Sequence, residues 1–123
     1  MQGNPVNWFE IYVQDMGRAR SFYESVFQVK LERLNTPGLE IWAFPMRMDQ
    51  MGASGALVKM EGFSSGGNST IVYFHSVDCS LEAARVVKFG GRIQREKMSI
   101  GQYGFIALAH DTEGNMFGLH SLE

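Results

Sequence analysis

The stretch NWFEIYVQDMGRARSFYESVF, residues 7–27, decides how the fold begins. Apolar and polar side chains alternate over residues 6–13, which is the period of a half-buried β-strand. Asp15 follows as a predicted helix N-cap, because its carboxylate can accept hydrogen bonds from the free backbone amides of a first helical turn. Apolar residues then recur at helical spacing and predict an amphipathic helix over residues 17–27. Those apolar residues are Ala19, Phe22, Tyr23, Val26 and Phe27.

The same order of elements is predicted twice along the chain. Strands over 29–34, 39–44 and 53–60 follow the first helix, and a Gly/Ser-rich linker covers 61–69. A shift of 63 positions then places Asp15 on Asp78, and Asp78 or Ser80 is the predicted cap of a second helix that ends near Gly90. The remaining predicted strands cover 70–76, 92–97, 103–110 and 115–121. We therefore expect one α+β domain over 1–123, made of two βαβββ modules at about 5–60 and 70–122, whose strands form a curved mixed sheet around a concave pocket.

Composition excludes several classes of protein. The 123 residues are 45% hydrophobic and 20% charged, which are values of a folded domain and not of a disordered chain. The net charge of −2 argues against a nucleic-acid partner, and no apolar run is long enough for a membrane span. The single cysteine, Cys79, allows no internal disulfide and favours a reducing, cytoplasmic location.

Several motifs resemble the vicinal oxygen chelate superfamily, which includes glyoxalase I, the bleomycin-resistance proteins and the extradiol dioxygenases. The motifs are Asn7-Trp8-Phe9-Glu10-Ile11 with Asp15, the helix segment 18–27, Val72-Tyr73-Phe74, Gly90-Gly91 and the segment 111–121. The resemblance covers nearly the whole chain and implies the two-module fold. It also implies a small-molecule ligand and a homodimer.

Catalytic members of that superfamily hold a divalent metal with His and Glu side chains from the first and last strands of each module. The resemblance assigns the first-strand positions to Trp8 and Ile71. It assigns the last-strand positions to Gly118 and to Gly55 or Ala56. None of these side chains offers a nitrogen, sulfur or carboxylate donor to a metal. We therefore expect no cofactor and no residue that binds the family metal.

Strand alternation predicts which side chains face the pocket. Glu10 is the most informative, because a pocket-facing carboxylate binds a ligand cation, acts as a base, pairs with His120 or an arginine, or makes a structural hydrogen bond to backbone amides or a tyrosine hydroxyl. Glu10 and His120 are the candidate catalytic pair, and His75 could join them in a displaced metal site. The methionines Met46, Met48, Met51 and Met60 suit a shape-tolerant wall or a subunit contact. The predicted ligand-binding residues are Trp8, Glu10, Tyr12, Trp42, Tyr73, His75 and His120.

Three functional hypotheses follow. The first is a metal-free protein that binds a small hydrophobic or aromatic molecule, as drug-sequestering members of the superfamily do. The second is a metal-dependent lyase of the lactoylglutathione lyase type, or a dioxygenase, which the missing ligands disfavour. The third is a metal-free enzyme that uses Glu10 and His120 as acid and base.

Overall fold

The computed structural model describes residue 4 and residues 6–123. The predicted start of the first module, at about residue 5, lies outside the described residues. Two helices and eight strands occur in the predicted order, with a 3-10 turn at Gly101–Tyr103. The elements are β1 (Trp8–Tyr12), α1 (Met16–Phe27), β2 (Glu32–Leu34), β3 (Glu40–Ala43), β4 (Ser54–Lys59), β5 (Tyr73–His75), α2 (Cys79–Lys88), β6 (Arg92–Ser99), β7 (Phe105–His110) and β8 (Met116–Ser121).

The strands form two mixed four-stranded sheets with the same topology, which confirms the α+β fold and its internal repeat. The strand orders are β1-β4-β3-β2 and β5-β8-β7-β6. In each sheet the first strand pairs in parallel with the last, and the other pairs are antiparallel. The structure therefore places the first and last strands of each module side by side, in one hydrogen-bonded sheet per module.

The helices begin where the sequence predicts. The Asp15 carboxylate accepts a hydrogen bond from the backbone amide of Arg18, and Asp78 caps α2 through the amide of Ser80. Both helices pack on one side of the sheets and share one core with them. The opposite face of each sheet is called the outer face below. Neither helix in the described part of the chain is long and apolar enough to cross a membrane.

A buried carboxylate in the β7–β8 turn joins the two modules. Glu113 accepts hydrogen bonds from the backbone amides of Gln14 and Asp15, each at 2.9 Å, and from Nε of Arg18 at 2.6 Å. Its side chain is fully buried, whereas Arg18 remains half exposed. The carboxylate therefore satisfies free amides at the start of α1 and fixes the second module against the first.

The same turn makes two further contacts with the first module. The buried Tyr23 hydroxyl of α1 donates to Asp111 at 2.7 Å, and the Asn115 amide donates to the carbonyl of Tyr12 at 3.0 Å. Asp111 also accepts the backbone amides of Glu113 and Asn115, which holds the turn itself in shape. These side chains were predicted only as a hairpin turn, and the structure shows that they also connect the modules.

Stability should fall in acid because of Glu113. Burial alone would raise the pKa of this carboxyl, but hydrogen bonds from Arg18 and from the backbone amides of the first module lower it from 4.5 to about 2. A group with a lowered pKa in the folded state stabilises the fold above its unfolded pKa, and this contribution is lost as the pH falls. Urea unfolding of the wild type should therefore show stability decreasing from pH 4.5 towards about pH 2.

Asp78 titrates in the same range, because its hydrogen bond from Lys97 and those from Ser80 lower its pKa to about 2. The Glu113→Gln variant separates the two groups. Its stability should depend less steeply on pH than that of the wild type, and equal slopes would show that Glu113 does not contribute.

Candidate functional site

Three alternating side chains on the outer face of β1 form a hydrogen-bonded row. The indole Nε1 of Trp8 donates to one carboxylate oxygen of Glu10 at 3.3 Å, and the hydroxyl of Tyr12 donates to the other at 2.9 Å. Strand geometry places residues i, i+2 and i+4 on the same face, so this row follows directly from the sequence alternation. Glu10 is exposed, and its carboxylate is held between two aromatic side chains.

The aromatic side chains of this row pack on an apolar surface. Trp8 and Tyr12 contact a small cluster of buried side chains on β3 and β4, centred on Ala56 and Val58. The ring of Tyr12 also stacks on Phe63 with centroids 5.1 Å apart and an interplanar angle of 22°. The carboxylate is thus fixed in position by rings that are themselves packed. We call Trp8, Glu10, Tyr12 and Phe63 the aromatic row.

A cavity of about 250 Å³ opens beside the row, between β1, the segment 64–72 and the start of β8. Glu10 and Tyr12 line one side, and the buried ring of Tyr23 lies at its apolar end with Phe117. The other lining residues are mainly small and polar: Ser64, Gly66, Asn68, Ser69, Thr70 and Asn115. The cavity therefore combines ring surfaces with several hydrogen-bonding groups.

Electrostatics favour a ligand that donates hydrogen bonds. An ionised carboxylate has about four acceptor positions, and Trp8 and Tyr12 each use one at Glu10. The hydrogen bond to Glu10, together with burial and the carboxylate charge, raises the pKa of Tyr12. Tyr12 therefore stays protonated at neutral pH and continues to donate, which leaves the remaining lone pairs of Glu10 for an incoming donor.

The outer face of the second sheet carries the other predicted residues. Tyr73 and His75 lie on β5, directly beside Gly118 and His120 of β8. The ring of Tyr73 lies over Gly118 so closely that a Cβ atom there would overlap it. His120 Nε2 lies 2.7 Å from the carbonyl of Tyr103, and since a carbonyl only accepts, this nitrogen donates. His120 is thus engaged by the turn before β7, a partner that the sequence did not suggest.

The candidate acid–base pair is divided between the two sheets. Glu10 is on β1 of the first sheet, and His120 is on β8 of the second. In the part of the chain that the structure describes, the hydrogen-bond partners of Glu10 are Trp8 and Tyr12, and that of His120 is Tyr103. The structure therefore does not join Glu10 to His120 by a hydrogen bond.

Trp42, a predicted ligand-binding residue, does not lie on the outer face with Trp8. It packs against the helix-side core, and the Arg20 guanidinium of α1 lies over its ring, 3.5 Å from the ring centroid. Its indole donates to Glu40 at 2.9 Å. The placement near the outer-face residues is wrong because the alternation of β3 turns Ile41 and Ala43 outward and Trp42 towards the helix.

The structure decides between the two residues predicted for the last-strand position of the first module. The structure pairs Glu10 with Ala56, as it pairs Tyr73 with Gly118. Gly55 instead pairs with Phe9, whose ring lies against it on the helix side. Ala56, and not Gly55, is therefore the counterpart of Gly118.

The positions that the resemblance assigns to metal ligands do not fit a divalent metal. They hold Trp8, Ala56, Ile71 and Gly118, and none of these side chains carries a carboxylate, imidazole or thiolate. Across residue 4 and residues 6–123, no three His, Cys, Asp or Glu side chains come together as a possible metal site.

The family model of the Glyoxalase/Bleomycin resistance protein/Dioxygenase superfamily matches residues 6–119. This chain belongs to that superfamily. The match covers both modules, including β1 with its aromatic row and the β7–β8 turn that joins the modules. No curated protein matches the chain in sequence.

Solved structures show the same fold in this superfamily. A V278E mutant of maize (Zea mays) glyoxalase I superposes with a TM-score of 0.74 at 22% identity, covering 96% of this chain and 46% of the maize chain. This chain thus spans less than half of the maize protein. TnmS3, an antibiotic binding protein from Streptomyces sp. CB03234, has a TM-score of 0.68 at 21% identity and covers 98% of each chain. A superfamily domain from Frankia sp. EAN1pec gives 0.73 at 13% identity, also with 98% of each chain covered.

Two contributors to the site were not among the predicted residues. Phe63 and residues 64–69 belong to the predicted linker, yet the ring of Phe63 stacks on Tyr12 and several of the residues after it line the cavity. Asn115 was predicted as a turn residue and also lines the cavity. The local signal in this linker, a Phe among Gly and Ser residues, does not say which strand it will cover.

Proposed function

We propose that this protein binds a planar, aromatic small molecule that carries hydrogen-bond donors or a positive charge, and that it does so without the family metal. The observation that supports this proposal best is the exposed Glu10 carboxylate, held between Trp8 and Tyr12 beside a cavity of about 250 Å³. Aromatic rings offer stacking surfaces, and a positioned carboxylate selects a donor or a cation at their edge.

The binding hypothesis is favoured over catalysis by what surrounds the carboxylate. Both oxygens of Glu10 already accept hydrogen bonds from groups of the same strand, which orients the carboxylate without a neighbouring base or acid. The structural neighbour TnmS3 is an antibiotic binding protein, and its fold covers this chain from end to end. A site lined by aromatic rings is consistent with the binding of a small molecule.

We propose that the metal position of the superfamily is lost in this chain. The side chains of Trp8, Ala56, Ile71 and Gly118 supply no donor, which supports the proposal through the chemistry of the residues themselves. A glyoxalase-type reaction needs a Lewis acid to stabilise its enediolate, and these positions provide none. The metal-dependent lyase or dioxygenase is therefore the weaker candidate.

We further infer a homodimer in a reducing, cytoplasmic setting. Superfamily members commonly act as dimers, and Tyr73 on β5 and Tyr103 in the 3-10 turn before β7 are 47% and 66% exposed. A second copy of this chain would cover such rings. The free, buried Cys79 supports a setting without disulfides. Light scattering after size exclusion tests the dimer, and a mass of one chain would contradict it.

Two dyes of similar aromatic area test the proposed function after dialysis of the protein against a chelator. Proflavine is planar and cationic and carries amino donors, whereas anilinonaphthalene sulfonate is anionic. Because Glu10 attracts cations and donors, proflavine should bind saturably and the sulfonate much more weakly. Dye fluorescence anisotropy measures both. Equal binding of the two dyes, or proflavine binding that appears only after zinc or nickel is added, would contradict the proposal.

A further inference from the structure

Three methionines are unusually exposed in the loop between β3 and β4. Met46, Met48 and Met51 lie in one six-residue segment, and their side chains are 56%, 89% and 93% exposed. Burial of apolar side chains of this size would stabilise the folded protein, and side chains that stay exposed do not contribute that stabilisation. The proposed ligand site does not use them, since none lines the cavity beside the aromatic row.

The loop brings the three side chains to one place. The backbone amide of Gln50 donates to the carbonyl of Arg47 at 3.3 Å, which closes a turn. Met46 and Met51 flank this turn, and Met48 lies within it. All three line a single open cavity of about 620 Å³. Because methionine has three rotatable bonds, side chains placed in this way can converge on a common point.

The three thioethers are donors of one chemical type, and they share the cavity lining with polar side chains such as Asn7, Gln50 and Ser54. A thioether is a neutral, soft ligand that favours Cu(I) and contributes little to binding hard cations such as Mg²⁺ or Ca²⁺. The loop holds one carboxylate, Asp49, which is paired with Arg47 at 3.4 Å. That pair leaves this exposed part of the loop with little net charge.

We propose that Met46, Met48 and Met51 form a binding site for a soft monovalent metal ion, Cu(I), coordinated by their sulfur atoms. The floor of the cavity is apolar, with the rings of Phe9, Phe44 and Phe74 packed 5.6–5.8 Å from one another. Such a floor gives the ends of the loop a base of packed aromatic rings. This site is separate from the aromatic row, and it does not depend on the function proposed above.

Silver ion provides a redox-inert substitute for Cu(I) in the test. Ag(I) is added to protein labelled with ¹³C at the methionine methyl groups, and the methyl signals are followed by NMR. Three of the eight methionine signals should shift together and stop shifting after one equivalent, and they should be assigned to the loop by single Met→Leu variants. Shifts spread over other methionines, or no shifts in the loop, would overturn the proposal.

A bicinchoninate competition under anaerobic conditions then measures Cu(I) itself. The triple variant Met46→Leu, Met48→Leu and Met51→Leu should lose the site, since leucine keeps the apolar volume and removes the sulfur. Met98→Leu is the matched control, because Met98 is 37% exposed on β6 outside the loop. Cys79 is present in all these proteins, so it cannot cause a difference. Equal Cu(I) binding by the triple variant and the control would overturn the proposal, even if the loop still binds an apolar molecule.

Discussion

Replacing Glu113 with alanine is expected to lower the free energy of unfolding by about 2–4 kcal/mol. The change removes the acceptor of two backbone amides, those of Gln14 and Asp15, and of the Arg18 guanidinium. The two amides then lose their partner where the two modules meet. Arg18 is 53% exposed, so water can replace its partner and moderates the loss. Urea unfolding followed by circular dichroism measures the change.

Glu61→Ala is the control for this experiment. Glu61 is exposed in the turn after β4 and makes none of these contacts in the described part of the chain. Its replacement should change stability by no more than about 0.5 kcal/mol, as is usual for surface sites. If Glu113→Ala changes the free energy of unfolding as little as Glu61→Ala does, the Glu113 carboxylate does not hold the two modules together.

Replacing Glu10 with glutamine is expected to weaken proflavine binding by about tenfold or more, which corresponds to the 1.5–3 kcal/mol typical of hydrogen bonds to charged groups. Glutamine keeps the size and the position of the side chain but removes the charge and one of the two acceptors. The rings of Trp8 and Tyr12 remain, so stacking persists and binding should be weakened without being abolished. Isothermal titration calorimetry measures both affinity and stoichiometry.

The chain offers a close internal control for this variant. Glu40 also accepts a hydrogen bond from a tryptophan two residues away, Trp42, at 2.9 Å. That pair lies on β3, and its tryptophan packs against the helix-side core, away from the aromatic row. Glu40→Gln should leave proflavine affinity unchanged. An equal loss in both variants would mean that a general charge effect, and not the position of Glu10, controls binding.

The sequence predicted those parts of the structure that depend on local patterns. The alternation of side chains along β1 predicted that Glu10 shares one face with Trp8 and Tyr12. The deeply buried side chains Ile11 and Val13 fix which face of the strand turns inward. The cap Asp15 was also predicted, and Asp78 was one of the two predicted caps of α2, since an N-cap acts within three residues. The repeat of element order then led to the two-module fold.

Features that depend on register or on distant contacts were not predictable in this way. The repeat spacing of 63 holds between β1 and β5, but Ala56 and Gly118 are 62 positions apart, so the sequence left the choice between Gly55 and Ala56 open. A shift of one residue in a strand reverses the face, which is why Gly55 points to the helix side. Glu113 meets Arg18 across 95 positions of sequence, and no local pattern encodes that contact.

The outer face of β1 is proposed to bind a planar molecule without a metal. The fluorescence of Trp8, which lies on that face, reports directly on such binding. The chain has two tryptophans, so Trp42→Phe leaves Trp8 as the sole reporter. Proflavine added to this variant after chelator treatment should quench its tryptophan emission saturably, with the same dissociation constant that calorimetry gives. If calorimetry shows proflavine binding while Trp8 emission stays unchanged, the ligand binds elsewhere. That result would contradict binding at the outer face of β1.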